Sequence, residues 1–172
     1  MNQSIKPYYT YSDGKHSIEA TFVQGDNGDT ILSVDGNNIT ELPPDYVYST
    51  IIHNDNLYIV YIRSILRVPN IAVNNKPDDE YTLEMQDYYS YEAPQLLSDN
   101  NGTLWAHIGG RLFRLVDTNT GKWEEKAQFY IGDQAEVYQS EILRFSKNLQ
   151  YDDITTGWHE YNITTGKLSD TQ

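Results

Sequence analysis

Nearly every stretch of this chain alternates apolar and polar residues with a period of two, and each stretch ends at Gly, Asn, Asp or Pro. That pattern is the strongest constraint the sequence carries. A period of two puts alternate side chains on opposite faces of an extended strand and cannot hold one face of a helix. "HSIEATFVQ" sets Ile18, Ala20 and Phe22 on one face. "TILSVDGNNITEL" reads as two short strands around Asp35-Gly36, a residue pair suited to the positive φ of a tight hairpin turn. "NLYIVYIRSILRV" is a longer apolar run that reads as a central strand, a turn and the neighbouring strand, and "KAQFYI" and "GWHEYNI" add further strands. Only "EVYQSEILRFS" also fits a helix, through Val137, Tyr138, Ile142 and Phe145. The expected fold class is all-β and antiparallel, as a single domain over residues 1–172.

The chain also repeats itself. "RLFRLVDTNTGKW" aligns with "GWHEYNITTGKL" through "TNTGK" and "ITTGK", which sets Phe113 on Trp158 and Gly121 on Gly166. "NDNLYIVYIRSILRV" aligns with "NGTLWAHIGGRLFRL", with Leu57 on Leu104 and Tyr58 on Trp105. Both offsets lie near the length of about 45 residues that one four-stranded propeller blade occupies. "SDNNGTLWAHIGGRLFRLVDTNTGKW" resembles the blade repeat of sensor-type β-propellers. In that repeat an Asp-x-x-Gly-x-Leu-Trp turn leads into a strand, a Gly-rich hairpin, and a strand ending in Asp-x-x-Thr-Gly. Asp99, Gly102, Leu104, Trp105, Gly109, Gly110, Asp117, Thr120 and Gly121 match in order. The resemblance implies propeller-like hairpins or blades, arranged as a small four-bladed propeller or as an open, strongly twisted sheet. It implies a recognition scaffold and names no ligand. Trp105 and Trp123 are read as blade-packing residues.

Carboxylates outnumber basic residues by 25 to 12, a formal charge of −13. That sign argues against nucleic acid and against an anionic membrane as partners, because phosphate is held by clustered Lys and Arg. It favours a basic protein partner. The absence of cysteine excludes a disulfide framework, a thiol nucleophile and a Cys-based zinc site. The opening "MNQSIKPYYTYSDG" has neither a basic start nor an apolar run, no stretch is long enough to span a bilayer, and a cytoplasmic location is expected. The Asn-x-Thr triplets at Asn38, Asn101 and Asn162 are then read as turn chemistry.

Catalytic signatures are sparse. His16, His53, His107 and His159 have no metal-ligand spacing, and "DTNTG" and "GDNGD" lack the terminal Glu and full ligand ladder of an EF-hand, so no metal and no cofactor are expected. His107 and His159 are placed at near-equivalent blade positions, which points to a structural role. Neither phosphate-cradling Gly-rich loop occurs, and no nucleophile elbow is visible. The expectation is a protein that is not an enzyme.

The charge is concentrated. "DDEYTLEMQDYYSYEAP", Asp78 to Pro94, carries acids and tyrosines with no base, and no Lys or Arg occurs from Pro77 to Gly110. As a strand this segment puts Tyr81, Leu83, Met85, Tyr89 and Tyr91 on one face, with Asp87 interrupting. Glu80, Thr82, Glu84, Gln86, Tyr88, Ser90 and Glu92 take the other. Charge on an edge strand guards against aggregation. Carboxylates with rigid tyrosines also make a docking surface for a basic partner. The expected contact residues are Asp78, Asp79, Glu80, Glu84, Asp87, Tyr88, Tyr89, Tyr91 and Glu92. In size, charge and aromatic usage the chain resembles the small acidic immunity proteins of interbacterial toxin systems. That resemblance implies a non-catalytic inhibitor covering the cationic cleft of a nuclease-type toxin domain. The alternatives are a ligand-sensing or carbohydrate-binding β module, with Trp105, Trp123 and Trp158 as stacking platforms, and a carboxylate-dependent glycan enzyme of propeller type.

Overall fold

The structure, a computed structural model, describes residues 6–23, 30–78, 83–84, 92–148 and 157–171. Among them are sixteen strands and no helix, arranged in four separate four-stranded antiparallel sheets, each in sequential strand order. Sheet 1 is β1 (Tyr9–Ser12), β2 (Ser17–Phe22), β3 (Thr30–Val34) and β4 (Asn37–Asn38). Sheet 2 is β5 (Ser49–His53), β6 (Asn56–Val60), β7 (Ser64–Val68) and β8 (Leu83–Glu84). Sheet 3 is β9 (Gln95–Ser98), β10 (Leu104–Ile108), β11 (Arg111–Asp117) and β12 (Lys122–Gln128). Sheet 4 is β13 (Ala135–Tyr138), β14 (Ile142–Ser146), β15 (Trp158–Asn162) and β16 (Leu168–Thr171). The chain divides into two compact units, Met1–Glu84 with sheets 1 and 2, and Met85–Gln172 with sheets 3 and 4.

The all-β expectation holds, and the four sheets take the blade-like form rather than that of one open sheet. Both internal matches fall on equivalent strands. Leu57 and Leu104 lie on the second strands of sheets 2 and 3, while Phe113 and Trp158 lie on the third strands of sheets 3 and 4. The first strands begin at Tyr9, Ser49, Gln95 and Ala135, so two of the three intervals are shorter than the repeat length inferred from sequence, and four sheets fit. The segment that also fitted a helix is a hairpin. Tyr138 pairs with Ile142, and Gln139 takes a φ of 57° in the intervening turn, where a helix would break. Asp35 and Gly36, with φ of 51° and 84°, make the tight turn expected between β3 and β4.

The repeated "TNTGK" and "ITTGK" motifs are one turn built twice. Oδ1 of Asp117 accepts from the backbone N–H groups of Asn119 and Thr120, and the N–H of Gly121 donates to the Asp117 carbonyl at 2.8 Å. Oδ1 of Asn162 likewise accepts from Thr164 and Thr165, and Gly166 donates to the Asn162 carbonyl at 2.8 Å. Both glycines have positive φ, 78° and 73°. The acid or amide therefore mimics a backbone acceptor, and glycine closes the loop without a Cβ penalty.

The Asp-x-x-Gly-x-Leu-Trp stretch has a similar logic with a deeper reach. Oδ1 of Asp99 accepts from the N–H groups of Asn101 and Thr103, while Oδ2 accepts from the indole N–H of Trp105 at 2.9 Å. One buried carboxylate thus fixes the turn into β10 and satisfies the polar end of a core indole. Trp105 packs edge-on against Tyr161, with centroids 5.5 Å apart, in a core shared by sheets 3 and 4 that includes Leu112, Phe129, Ile131, Leu143 and Phe145. In the other unit, Ile18, Ala20, Leu32, Leu57, Ile59 and Val68 form the centre of a core shared by sheets 1 and 2. Tyrosine hydroxyls join those two sheets. The Tyr9 hydroxyl accepts from the Thr50 N–H at 2.8 Å, and the Tyr8 hydroxyl accepts from the Val47 N–H at 3.0 Å.

Asp99→Ala removes an acceptor from three donors and leaves the buried Trp105 indole N–H unpaired. It is expected to destabilise the protein by about 2–4 kcal/mol, with the loss measured as a lower urea midpoint at neutral pH.

Candidate functional site

The acidic tyrosine segment begins and ends in contacts with the chain itself. Asp78 donates its N–H to the Arg67 carbonyl at 2.7 Å and accepts from Arg67 Nη1 at 3.4 Å. Arg67 lies on β7 and is 6% exposed. A buried guanidinium requires a counter-charge and acceptors, and Asn56 Oδ1 supplies one, 3.5 Å from Nη2, while also accepting from the Asn70 N–H. At the other end Glu92 accepts from the amide of Asn148, which also donates to the Ile131 carbonyl at 2.8 Å. Asp78 and Glu92, expected at a partner surface, therefore have their carboxylates turned to internal partners. Leu83 and Glu84 form β8, the outermost strand of sheet 2 among the described residues, opposite Ile65 and Ser64 respectively. Leu83 is half-buried against the buried Ile65, which agrees with the face assigned to it. Asp79, Glu80, Asp87, Tyr88, Tyr89 and Tyr91 lie outside the described residues.

Other charges are also used within the fold. Arg111 pairs with Glu125 at 2.6 Å. Arg144 lies between Glu136 and Glu160 on the neighbouring strands, with its guanidinium 4.1 Å from the Tyr138 ring centroid and 4.3 Å from that of Trp158. Trp105 is buried, and the Arg144 guanidinium lies over one face of the half-buried Trp158.

Sequence reasoning did not find the cleft at one end of sheet 1. It is about 250 Å³, lined by His16, Asp35, Asn37, Asn74 and Asn75 with Ile39 and Ile71 as apolar wall. Two Asp-centred turns build it. Asp13 Oδ1 accepts from the N–H groups of Lys15 and His16, and Asp35 Oδ1 accepts from the Ser17 N–H. His16 Nδ1 lies 2.7 Å from Asp35 Oδ2. Hydrogen bonds from His16 and the Ser17 N–H hold the Asp35 carboxyl below the usual range, so it is a carboxylate at neutral pH. No Ser or Thr hydroxyl is hydrogen-bonded to the ring among the described residues. The signal in the sequence was two Asp-Gly turns, Asp13-Gly14 and Asp35-Gly36, separated along the chain.

The histidines of the second unit are structural in their contacts but are not at equivalent positions. His107 is on β10, the second strand of sheet 3, and His159 is on β15, the third strand of sheet 4. His107 Nε2 lies 2.8 Å from the Phe129 carbonyl, among the rings of Phe129 and Phe145, and His159 Nδ1 lies 2.7 Å from Asp170. Among the described residues no group of three or more His, Asp or Glu is placed to hold a metal ion, and no helix is long and apolar enough to cross a membrane.

These sheets define a propeller-like protein. No protein-family model and no curated protein matches the chain. Solved structures do. A catalytically inactive virginiamycin B lyase from Staphylococcus aureus, with quinupristin, is 18% identical, with a TM-score of 0.59 over 98% of this chain and 56% of that one. AztD from Citrobacter koseri is 7% identical, with a TM-score of 0.56 over 94% of this chain and 44% of that one. A protein provisionally assigned as a 6-phosphogluconolactonase, from Bacteroides fragilis, is 12% identical, with a TM-score of 0.55 over 95% of this chain and 68% of that one. All three are propeller-like folds, and the chain spans about half the length of the first two. The likeness is one of fold.

Burial pushes the His107 imidazole down to about 4, from an ordinary value of 6.5. The folded state refuses a proton that the unfolded chain accepts, so His107 favours folding above pH 6.5, and that contribution is lost as pH falls from 6.5 to about 4. The loss is on the order of 3 kcal/mol. It is measured as unfolding free energy against pH, and His107→Gln is expected to flatten the curve in that window.

Proposed function

We propose that this chain is a non-catalytic binding protein that docks a basic protein at its acidic, tyrosine-rich edge. It would act as an immunity protein does, neutralising a nuclease-type toxin by covering its cationic cleft. The observation that carries the reading is the position of β8: among the described residues the acidic segment supplies the outermost strand of sheet 2, within a run from Pro77 to Gly110 that has no Lys or Arg. An outermost strand offers backbone N–H and C=O groups to a partner, and carboxylates beside it attract a basic one and repel an acidic one. The pairing of Arg67, Arg111 and Arg144 with the chain's own carboxylates supports the same reading, since those arginines are not offered to phosphate.

A second reading, a module for a small polar ligand, is favoured by the His16–Asp35 cleft with its asparagine amides. Its volume is below the 300–1,000 Å³ usual for drug-sized ligands, so a ligand no larger than a single sugar ring would suit it. Of the three rings in the carbohydrate version, Trp105, Trp123 and Trp158, Trp105 is buried and Trp158 carries Arg144 over its ring, which leaves Trp123 as its platform.

Capture from the native cell, eluted by a salt gradient and identified by mass, tests the first reading. The expected result is one basic protein released only at high salt, with nuclease activity appearing on release. Glu80→Lys, Glu84→Lys and Asp87→Lys together are expected to abolish capture without lowering thermal stability. Undiminished capture by that triple variant would remove the acidic edge as the site.

A further inference from the structure

At one end of sheets 1 and 2 four aromatic rings meet at the margin of the core, with Tyr8 packed against it. Tyr8 stacks on Phe22 with centroids 4.2 Å apart and on Tyr46 with centroids 4.7 Å apart; Phe22 and Tyr46 are 6.0 Å apart, and Tyr48 meets Tyr46 edge-on at 4.9 Å. The Tyr8, Phe22 and Tyr46 centroids thus form a triangle, a patch rather than a column. Phe22 is 42% exposed and Tyr46 is 46% exposed, although rings of this size are normally well covered. The hydroxyl of Tyr8 is used in the fold, whereas that of Tyr46 has no hydrogen-bond partner among the described residues. Beside the patch Asp45 is exposed. Tyr61, buried and within electrostatic reach of Tyr8 and Asp45, has a hydroxyl with no partner among the described residues.

Electron-rich ring faces beside a carboxylate attract a cation. The protein already contains such an arrangement with its cation in place: in sheet 4, Arg144 lies over Tyr138 and Trp158 and between Glu136 and Glu160. The patch of sheets 1 and 2 has the rings and the carboxylate, and no Lys or Arg of the described residues stacks on it. It lies at the same end of sheet 2 as Glu84, beside β5 at the opposite edge of that sheet from β8. Ser64, opposite Glu84 on β8, gives its carbonyl to the Tyr61 N–H, and the Tyr48 N–H donates to Val60, so these groups share one end of sheet 2.

We propose that Tyr8, Phe22, Tyr46 and Tyr48, with Asp45 at their edge, form a seat for an arginine side chain of the basic protein partner. The inference rests on the docking reading above and adds an anchor to it. Arginine is favoured over lysine because a planar guanidinium stacks on rings, where a hydrated ammonium acts as a point charge. A stacked arginine in a ring pocket is a common binding hot spot.

The test titrates a hexa-arginine and a hexalysine peptide into the wild-type chain and into Tyr46→Ser, Asp45→Asn and Glu84→Gln variants, followed by NMR, with thermal unfolding as a check on the fold. In the wild type hexa-arginine is expected to bind more tightly and to shift the Phe22 and Tyr46 ring resonances. Tyr46→Ser is expected to weaken hexa-arginine by about threefold to tenfold and to erase its advantage. Asp45→Asn, which keeps the rings, is expected to weaken both peptides, and Glu84→Gln to leave the ring shifts in place. Equal affinity for the two peptides, or no effect of Tyr46→Ser, would reduce the attraction to diffuse charge and overturn the seat. The two readings fail separately. A captured basic protein held equally well by Tyr46→Ser overturns the seat and leaves docking standing, whereas ring-specific hexa-arginine binding with no basic protein captured supports the seat alone.

Discussion

Strands β6 and β10 are buried at every position, from Asn56 to Val60 and from Leu104 to Ile108. A strand buried on both faces obliges the sheet around it to be covered on both sides, and a four-stranded sheet cannot supply that cover itself. The packing of sheet 1 on sheet 2, and of sheet 3 on sheet 4, follows from this constraint. So does the choice of side chains at those contacts. Tyrosines such as Tyr9 and Tyr161 bring a large apolar ring into the gap, and the Tyr9 hydroxyl also satisfies a backbone donor of the next sheet.

Burial also decides which charges remain available. Arg67 is taken into sheet 2 and must be matched there, so Asp78 serves the fold before it can serve a partner. Glu92 is held in the same way by Asn148. The acidic segment is thus fixed at both ends by short polar contacts. The negative excess of the chain is carried by carboxylates such as Glu19 and Asp45 that have no such obligation. This separation of internal from surface charge lets a strongly acidic protein keep a well-packed core.

Much of the fold was legible because its signals are local. Alternation gave the strands, Asp35-Gly36 gave its hairpin, and the two internal matches landed on equivalent strands of successive sheets. The hairpin at Gln139 was ambiguous because four apolar residues happen to suit both periods, and only the pairing of Tyr138 with Ile142 resolves it. The candidate sites were much less legible. Asp78 reads as a free surface acid until Arg67 is seen to be buried beside it. His16 and Asp35 are far apart in sequence, as are Tyr8, Phe22 and Tyr46, and neither group leaves a motif. Long-range juxtaposition of common residue types has no spacing to read.

The turn built at Asp117 and again at Asn162 uses the same side-chain atom, Oδ1, for the same pair of backbone donors. One version carries a full negative charge and the other none, yet the geometry is unchanged. Backbone shape at these positions is therefore uncoupled from electrical character, and exchanging one residue for the other alters the field around the protein while the chain path stays put. A lineage under pressure to match a changing partner could retune its surface at such turns one charge at a time, without reopening the problem of how to fold.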